Sequence, residues 1–437
     1  MCTGLQPEED RSRMLAPWAR TGSNFRDPPG SAPNSSLLKN DRFLRLWIGQ
    51  GTSFVGDAVS MVALVILVVQ ITGSASAVGG TLVVRLLPTL ASPLAGVFAD
   101  RLDRRLVLVT SDLARAVLVL GFIFARDLTT IYILVFLMGL ARSLFNPTIR
   151  AAFPSVVGDG DMTRANALIS GAFSVSETAG PALGGLLVAA VGVDAAFVLD
   201  SATYVISAAS LSLISLPRPQ REEEGTGFGD DLRSGFSYLA GARVPLAIVL
   251  GAFLTVLTIN TTIPAEVFLA KETFGAGNAG YGVLVGVYGG GMVLGSALMA
   301  ALGDRVRLLP FYFFGVFVTA LALVGAGLSP SFVVALGALM VAGVANGTEN
   351  VTTDTILQKR VPDAFLGRVF SVRFLSLSVG EVFAYGVGGA ILDASGARFS
   401  YLMAGAATVA AGLVILLFLA VTSGSQPPEV PPKGGKT

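Results

Sequence analysis

The chain has 437 residues, of which 53% are hydrophobic and 14% are charged. Soluble domains are about 25% charged, so this composition predicts an integral membrane protein. With a formal net charge of +1 the chain lacks the basic character of nucleic-acid-binding proteins, and we expect no such partner. Histidine is absent and Cys2 is the single cysteine, so we expect no metal site and no cofactor. Any proton relay must therefore use carboxylates.

Apolar runs of about 20 residues are long enough to cross a bilayer as helices, and twelve occur along the chain. They lie at 46–71, 78–99, 106–125, 129–149, 166–191, 195–216, 244–269, 280–302, 309–328, 332–357, 369–392 and 400–421. We therefore predict an all-α membrane protein with twelve transmembrane helices in two six-helix bundles, at 42–216 and 244–421. A polar linker at 217–243, which can form a short interfacial helix, joins the bundles. A disordered tail at 1–41 and a second tail at 422–437 flank them.

Lysine and arginine are concentrated at one set of helix ends. With the N-terminus inside, the predicted cytoplasmic turns hold Arg101, Arg104, Arg105, Arg150, Arg164, Arg305, Arg307, Lys359, Arg360, Arg368 and Arg373. The opposite turns hold only Arg126, Lys271 and Arg398. Because positive residues favour the cytoplasmic side of membrane proteins, we expect both termini and the linker to be cytoplasmic. The sequence thus predicts a multi-pass protein of the cell membrane.

The densest charge cluster between two apolar runs is Gly96-Val-Phe-Ala-Asp-Arg-Leu-Asp-Arg-Arg105, with five charges. One charge at the bilayer centre costs about 3 kcal/mol, so this segment must be a turn at the cytoplasmic face. Its Asp100-Arg101 pair recurs 204 residues later as Asp304-Arg305. The same offset relates Arg164 to Arg368, Glu177 to Glu381, and Gly184-Gly185 to Gly388-Gly389. Six helices are an even number, so the repeat is parallel, an architecture typical of secondary transporters.

Twelve helices, a parallel repeat and this charged turn together resemble the major facilitator superfamily over residues 41–421. The family's turn reads Gly-x-Leu-Ala-Asp-Arg-x-Gly-Arg-Lys, and Asp103 stands here in place of its second glycine. The family's antiporters carry Gly-Pro-x-x-Gly-Gly in the fifth helix, which is matched by Gly180-Pro-Ala-Leu-Gly-Gly185. Three further segments are similar to the branch that holds macrolide exporters, the enterobactin exporter and lysophospholipid flippases. They are Phe145-Asn-Pro147, Arg164-Ala-Asn-Ala-Leu168 and Pro362-Asp-Ala-Phe-Leu-Gly-Arg368.

The resemblance implies a gate at the charged turn, where Asp100 bonds neighbouring helix ends and latches the halves together on the cytoplasmic side. The full gate or latch set is Asp100, Arg101, Arg104, Arg105, Asp304 and Arg305. The alternative is a topological anchor whose arginines meet anionic headgroups. Gly180, Pro181, Gly184 and Gly185 form a helix-packing motif, because small residues permit close approach and proline bends a helix. The resemblance associates that bend with antiport, and an ordinary tight crossing is the alternative.

Asp57 lies midway along the first apolar run. Charges inside a membrane are costly and therefore indicate function; a midplane carboxylate can load a proton on one side and release it on the other. It can also attract a cationic substrate or pair with Arg142, on the fourth helix, which lines the cavity in the resembled family. The alternative is a carboxylate that only accepts hydrogen bonds from hydroxyls such as those of Ser53 and Ser60.

The other intramembrane charges divide into candidates for proton or substrate binding and residues with an expected structural role. Glu177 and Glu381 occupy equivalent midplane positions and either bind protons or fix helix packing by hydrogen bonds. Asn346, Glu349 and Asn350 share one polar helical stripe, in which Glu349 is a substrate or proton candidate. The remaining expectations are an Asp354–Arg360 pair, an Asp112–Arg115 pair on one helix, Glu266 at the outer rim, and Arg85 as an interior partner of an unidentified carboxylate.

We predict a secondary active transporter, not an enzyme, that exports a drug-like or secondary-metabolite molecule in exchange for protons by alternating access. The proton-coupling or substrate candidates are Asp57, Arg142, Glu177, Glu349 and Glu381. Expected partners are the small-molecule substrate, protons and membrane lipids, and we expect the monomer to function alone. The alternatives with the same fold are a lysophospholipid flippase, with headgroup contacts to Arg85 or Arg142, and an exporter of another metabolite or a siderophore.

Overall fold

The structure, a computed structural model, describes residues 37–90, 102–157, 161–216 and 228–422, and these are almost entirely helical. The helices of the first half are α1 (Asp41–Thr72), α2 (Ala75–Leu90), α3 (Arg104–Phe124), α4 (Leu128–Val157), α5 (Met162–Val191) and α6 (Val193–Ser212). After the short α7 (Phe228–Gly241), the second half contains α8 (Arg243–Ile259), α9 (Ile263–Phe268), α10 (Gly277–Leu302), α11 (Leu308–Leu328), α12 (Phe332–Arg360), α13 (Asp363–Ser395) and α14 (Ala397–Thr422). A 3-10 turn at Asn260–Thr262 makes α8 and α9 one rod, which ends in a π-turn at Leu269–Thr273.

Eleven helices in the described part of the chain are long and apolar enough to cross a membrane. The shorter apolar helix α2 reaches position 90, and the next described residue is 102. Eleven of the predicted apolar runs therefore coincide with a long helix, and the described part of the run at 78–99 coincides with α2. The helices extend beyond the runs at their polar ends, as where α1 begins at Asp41 and α12 ends at Arg360. Polar residues remain helical outside the hydrocarbon layer, where hydropathy no longer marks them.

Asp103, the departure from the family's charged turn, is the N-cap of α3. Its carboxylate accepts a hydrogen bond from the Leu106 backbone N–H at 3.1 Å. Aspartate at this position satisfies an N–H group that the helix leaves unbonded. The residue thus has a local structural role that glycine does not supply through a side chain.

Helices α1 to α6 pack on one another, chiefly through α1 with α5 and α6, α3 with α4 and α6, and α2 with α4. In the second half α10 and α11 pack on α12, and α14 packs on α8 and α11. The predicted interfacial helix exists as α7 and is docked on α13. There the Arg368 guanidinium donates to Ser234 Oγ at 3.1 Å, and the Tyr238 and Phe365 rings stack with centroids 4.8 Å apart.

The two halves meet where α5 crosses α10 and where α2 crosses α13. Glycines allow both crossings: a Cβ added to Gly185 would stand 2.8 Å from the Gly282 Cα, and one added to Gly389 would stand 2.8 Å from the Ser76 Cα. Their neighbours Gly184 and Gly388 instead pack within their own halves. Residues 204 positions apart therefore make equivalent contacts, which confirms the parallel repeat in three dimensions.

A clasp closes the junction at the end opposite the termini. Asp393, near the end of α13, accepts the backbone N–H groups of Ala75 and Ser76 at 2.9 Å each and the Ser74 hydroxyl at 3.2 Å. These donors form the first turn of α2, so a carboxylate of one half caps a helix of the other. The glycine contacts also lie in the helix portions nearer this end. We call the Asp393 contacts to residues 74–76 the clasp.

Candidate functional site

The site begins where α1 meets α6. A Cβ on Gly56 would collide with Asp200 and Thr203 of α6, so the absence of a side chain is what lets the two helices approach. This approach brings the Tyr204 hydroxyl to Asp57 Oδ1, to which it donates a hydrogen bond. Asp57 is partly exposed and Tyr204 is buried. The first partner of Asp57 is thus a tyrosine, which the sequence did not reveal, rather than Ser53 or Ser60.

Arg115 extends this contact into the first half. The predicted pair with Asp112 on the same helix is confirmed, and both side chains are buried. The Arg115 guanidinium also lies 4.5 Å from the Tyr204 ring centroid and 4.4 Å from that of Phe145. Stacking of a cation on aromatic rings is favourable when both are removed from water. A continuous polar path therefore runs from Asp112 through Arg115 and Tyr204 to Asp57.

Asp200 is a buried carboxylate that the sequence analysis missed. It is 0% exposed and lies one helical turn before Tyr204 on α6. The Thr203 hydroxyl donates to its Oδ1 at 3.3 Å, whereas its Oδ2 has no hydrogen-bond partner in the described part of the chain. A carboxylate inside an apolar run was the available signal, since such residues are rare and functional by default in membranes.

Arg85 and Arg142 supply the positive charge. Helices α2 and α4 touch at Gly139, where an added Cβ would stand 3.0 Å from the Arg85 carbonyl oxygen. Arg142 follows one turn later on α4, within electrostatic range of Arg85. The Arg85 Nη1 lies 2.9 Å from Met61 Sδ. Among the described residues, neither guanidinium is within 4 Å of a carboxylate oxygen.

The two symmetry-related glutamates converge on Arg85. Glu177 comes from α5 and Glu381 from α13, the two helices that cross to the other half. Both carboxylates lie within electrostatic range of Arg85, as does Asp57. Glu177 is exposed and Glu381 is partly exposed. We call this set of charges, Asp57, Arg85, Arg142, Glu177 and Glu381, the central cluster.

Glu349 does not belong to the central cluster. It lines a separate pocket between α8, α12 and α13, of about 340 Å³ including the open mouth. The predicted polar stripe is present: the Asn346 amide donates to Glu349 Oε2 at 3.2 Å, and the Asn350 amide donates to Asn346 Oδ1 at 3.2 Å. The expected Asp354–Arg360 pair is wrong, because Asp354 lies 3.1 Å from Arg373 of the neighbouring helix α13.

Glu266 differs from the expected rim residue, because it is partly buried in α9. Its electrostatic neighbours are the buried Tyr281 and Tyr401 together with Tyr288 and Tyr385. A rim carboxylate would face water, whereas this one faces phenol side chains from three helices. Spacing along the sequence carries no information on these neighbours.

The predicted gate residues are only partly visible. Asp100, Arg101 and the side chain of Asp304 lie outside the described residues. Arg104 donates to the Ala151 carbonyl at 3.1 Å and so ties the start of α3 to the end of α4 within one half. Arg105 and Arg305 are exposed. Both the latch and the anchor interpretation therefore remain predictions.

The helix-packing motif joins three helices. Gly180 faces the Ala58 methyl group, and a Cβ on Gly184 would stand 3.0 Å from the Val59 Cα, so both glycines seat α5 on α1. Gly185 meets α10 of the other half. The helix continues through Pro181 from Met162 to Val191. The motif therefore forms a tight crossing within one half and part of the contact between the halves.

The chain is similar to known membrane exporters. Residues 32–430 match the family described as transmembrane secretion effector. The sequence is 20% identical over 386 residues to macrolide efflux protein A of Streptococcus pyogenes, covering 85% of this chain and 95% of that protein. It is 27% identical over 405 residues to the enterobactin exporter EntS of Escherichia coli O1:K1, covering 88% and 92%.

The fold also resembles solved structures. The crystal structure of the nucleoside transporter NupG superposes with a TM-score of 0.73 at 12% identity and covers 86% of this chain and 99% of that one. At this level of identity the likeness concerns the fold alone. It confirms the predicted twelve-helix architecture of two similar halves.

Proposed function

Because the chain belongs to the transmembrane secretion effector family of major facilitator transporters, we propose that it exports a drug-like or secondary-metabolite molecule in exchange for protons. The family establishes a multi-pass membrane transporter of the efflux type, and the proposal adds the proton and the substrate class. The observation that carries the proposal is the central cluster, in which three carboxylates meet two guanidiniums between the halves.

The bodies that move are the six-helix bundles at 42–216 and 244–421. The clasp and the glycine crossings hold one end closed, and the arginine distribution supports the assignment of that end to the outer side. In this scheme the structure represents the inward-open state, in which the cluster exchanges protons and substrate with the cytoplasm. Both termini are cytoplasmic in this scheme, and the monomer, surrounded by membrane lipids, is the transporting unit.

Charge explains why a proton would matter for the movement. Fully ionised, the central cluster carries three negative and two positive charges, a net charge of −1. Protonation of one carboxylate makes the cluster neutral, which lowers the cost of closing water out of the site. Asp57 is the proton carrier we favour, because Tyr204 bonds it directly and Arg115 lies behind that tyrosine. Glu177 and Glu381 supply the remaining negative charge from the two crossing helices.

Relatives named for efflux of macrolides and export of enterobactin support the efflux of a small molecule. A flippase with headgroup contacts to Arg85 or Arg142 would move fluorescently labelled lysophospholipid between leaflets instead. Measuring that movement in the same vesicles separates the two functions.

The test uses everted membrane vesicles that contain the wild-type protein, a panel of antibiotics including macrolides, and an imposed proton gradient. Accumulation of at least one compound should require the gradient and should fall at least tenfold in Asp57→Asn. Asp127→Asn is the matched control, because Asp127 is an exposed carboxylate in the turn between α3 and α4. Accumulation that survives collapse of the gradient, or equal activity in Asp57→Asn, contradicts proton coupling.

A further inference from the structure

We infer that the pocket between α8, α12 and α13 binds the ammonium group of an amphiphilic organic cation. The inference rests on the proposed function only in its assumption that the ligand is a transported molecule. The pocket lies in the second half and shares no lining residue with the central cluster. Binding of the ligand and exchange of the proton would therefore occur at different places.

Glu349 is the anionic group of the pocket. Its side chain is 97% buried, at 3% exposure, and its base is wedged against Gly315 of α11, where an added Cβ would stand 2.8 Å from the Glu349 Cβ. The Asn346 amide is the one hydrogen-bond donor to the carboxylate in the described part of the chain. A carboxylate offers about four acceptor sites, so Glu349 can accept further hydrogen bonds from a ligand.

The charge balance of the pocket favours a cation. Arg373 also lines the pocket, but Asp354 neutralises it at 3.1 Å. With Glu349 ionised, the group carries two negative charges and one positive charge, a net charge of −1. A ligand ammonium would remove this excess, whereas an anion would add a second uncompensated charge in a site that is largely out of water.

The size and the other lining groups fit a head group rather than a whole molecule. The pocket is small, because its volume of about 340 Å³ already includes the open mouth. Asn260, Asn350 and Thr255 provide polar atoms around the carboxylate, while Ile259 and Leu377 provide apolar contact. The rest of an amphiphile would extend through the open mouth.

The experiment measures equilibrium binding of the cationic dye rhodamine 6G to purified protein in lipid nanodiscs, by fluorescence anisotropy without any gradient. Wild-type protein should bind the dye, and Glu349→Gln should weaken binding at least tenfold. Asp354→Asn should also weaken it, because Arg373 then presents an uncompensated cation to the pocket. Arg373→Gln should tighten binding, because it removes the cation from the pocket. Asp363→Asn, an exposed carboxylate at the start of α13, is the matched control and should change nothing.

An uncharged dye of similar size, Nile red, tests the chemistry itself. Its affinity should differ less than twofold between wild type and Glu349→Gln. Absence of rhodamine 6G binding to wild type, equal losses for both dyes, or a twofold or smaller effect of Glu349→Gln would each overturn the inference. If Glu349→Gln does not fold, Asp354→Asn and Arg373→Gln decide by their opposite signs. Loss of gradient-driven export with intact dye binding would reject the proposed function and leave this site standing.

Discussion

The clasp makes a prediction about the balance between the two access states. In Asp393→Ala the first turn of α2 loses a capping carboxylate that belongs to the other half. A side-chain cap contributes about 0.5–2 kcal/mol, and an anion at a helix N-terminus adds about 0.3–1 kcal/mol. Because Asp393 is exposed, solvent screening favours the lower values, about 1–1.4 kcal/mol in all. The equilibrium should then shift roughly 5- to 10-fold toward the state that is open at the clasp end.

Electron paramagnetic resonance measures this shift directly. With Cys2 replaced by serine, spin labels at Asp194→Cys and Glu272→Cys report the distance between the halves at that end, because both positions are exposed there. Asp393→Ala should increase the population at long distance in lipid nanodiscs.

Asp127→Asn serves as the control for the clasp variant. Asp127 also bonds the first turn of a helix, through Thr130, but within its own half. Its loss should leave the distance distribution unchanged. An unchanged distribution in Asp393→Ala, or equal shifts in both variants, would refute the reasoning that the clasp sets the balance.

Three further predictions concern other parts of the molecule. Tyr204→Phe removes the hydrogen bond to Asp57 but keeps the ring beneath Arg115, so the pH profile of transport should shift while thermal stability changes little; an unchanged profile would leave the hydroxyl without a role. Gly282→Val places a side chain against Gly185 and Pro181, and should reduce transport at least tenfold, with proper membrane insertion verified by protease protection. Hydrogen bonds from the Thr130 backbone and hydroxyl lower the pKa of Asp127 below its usual value. This cap therefore stabilises the start of α4 at neutral pH and is lost as the pH falls through the folded-state pKa; Thr130→Val should raise that pKa in a carbon-13 NMR titration.

Much of the architecture was predictable because the physical causes are local or periodic. The apolar runs predicted twelve membrane-spanning helices, because a bilayer imposes a minimum length on each one. The offset of 204 residues linked Glu177 to Glu381 before either was placed in space. The polar stripe of Asn346, Glu349 and Asn350 followed from helical spacing alone, and the structure has its amide bonds.

The contacts that were missed join residues far apart in the chain. Tyr204 reaches Asp57 because Gly56 lets α6 approach α1, and no spacing rule relates positions 57 and 204. Asp354 was assigned to a nearby arginine on its own helix, whereas Arg373 reaches it from α13. Asp393 was not singled out, because a carboxylate near a helix end looks like a solvated surface residue. Tertiary packing decides each of these partners, so a single sequence does not specify them.

The docking of α7 has a consequence for dissecting the protein. Ser234 and Tyr238 of α7 bond and stack on Arg368 and Phe365 of α13, so α7 belongs structurally to the second half although it precedes α8 in the chain. Two separately expressed polypeptides, 1–222 and 223–437, would keep these contacts intact. The pieces would then reassociate through the clasp and the glycine crossings. If the co-expressed fragments export substrate, each half can be labelled, exchanged or mutated separately.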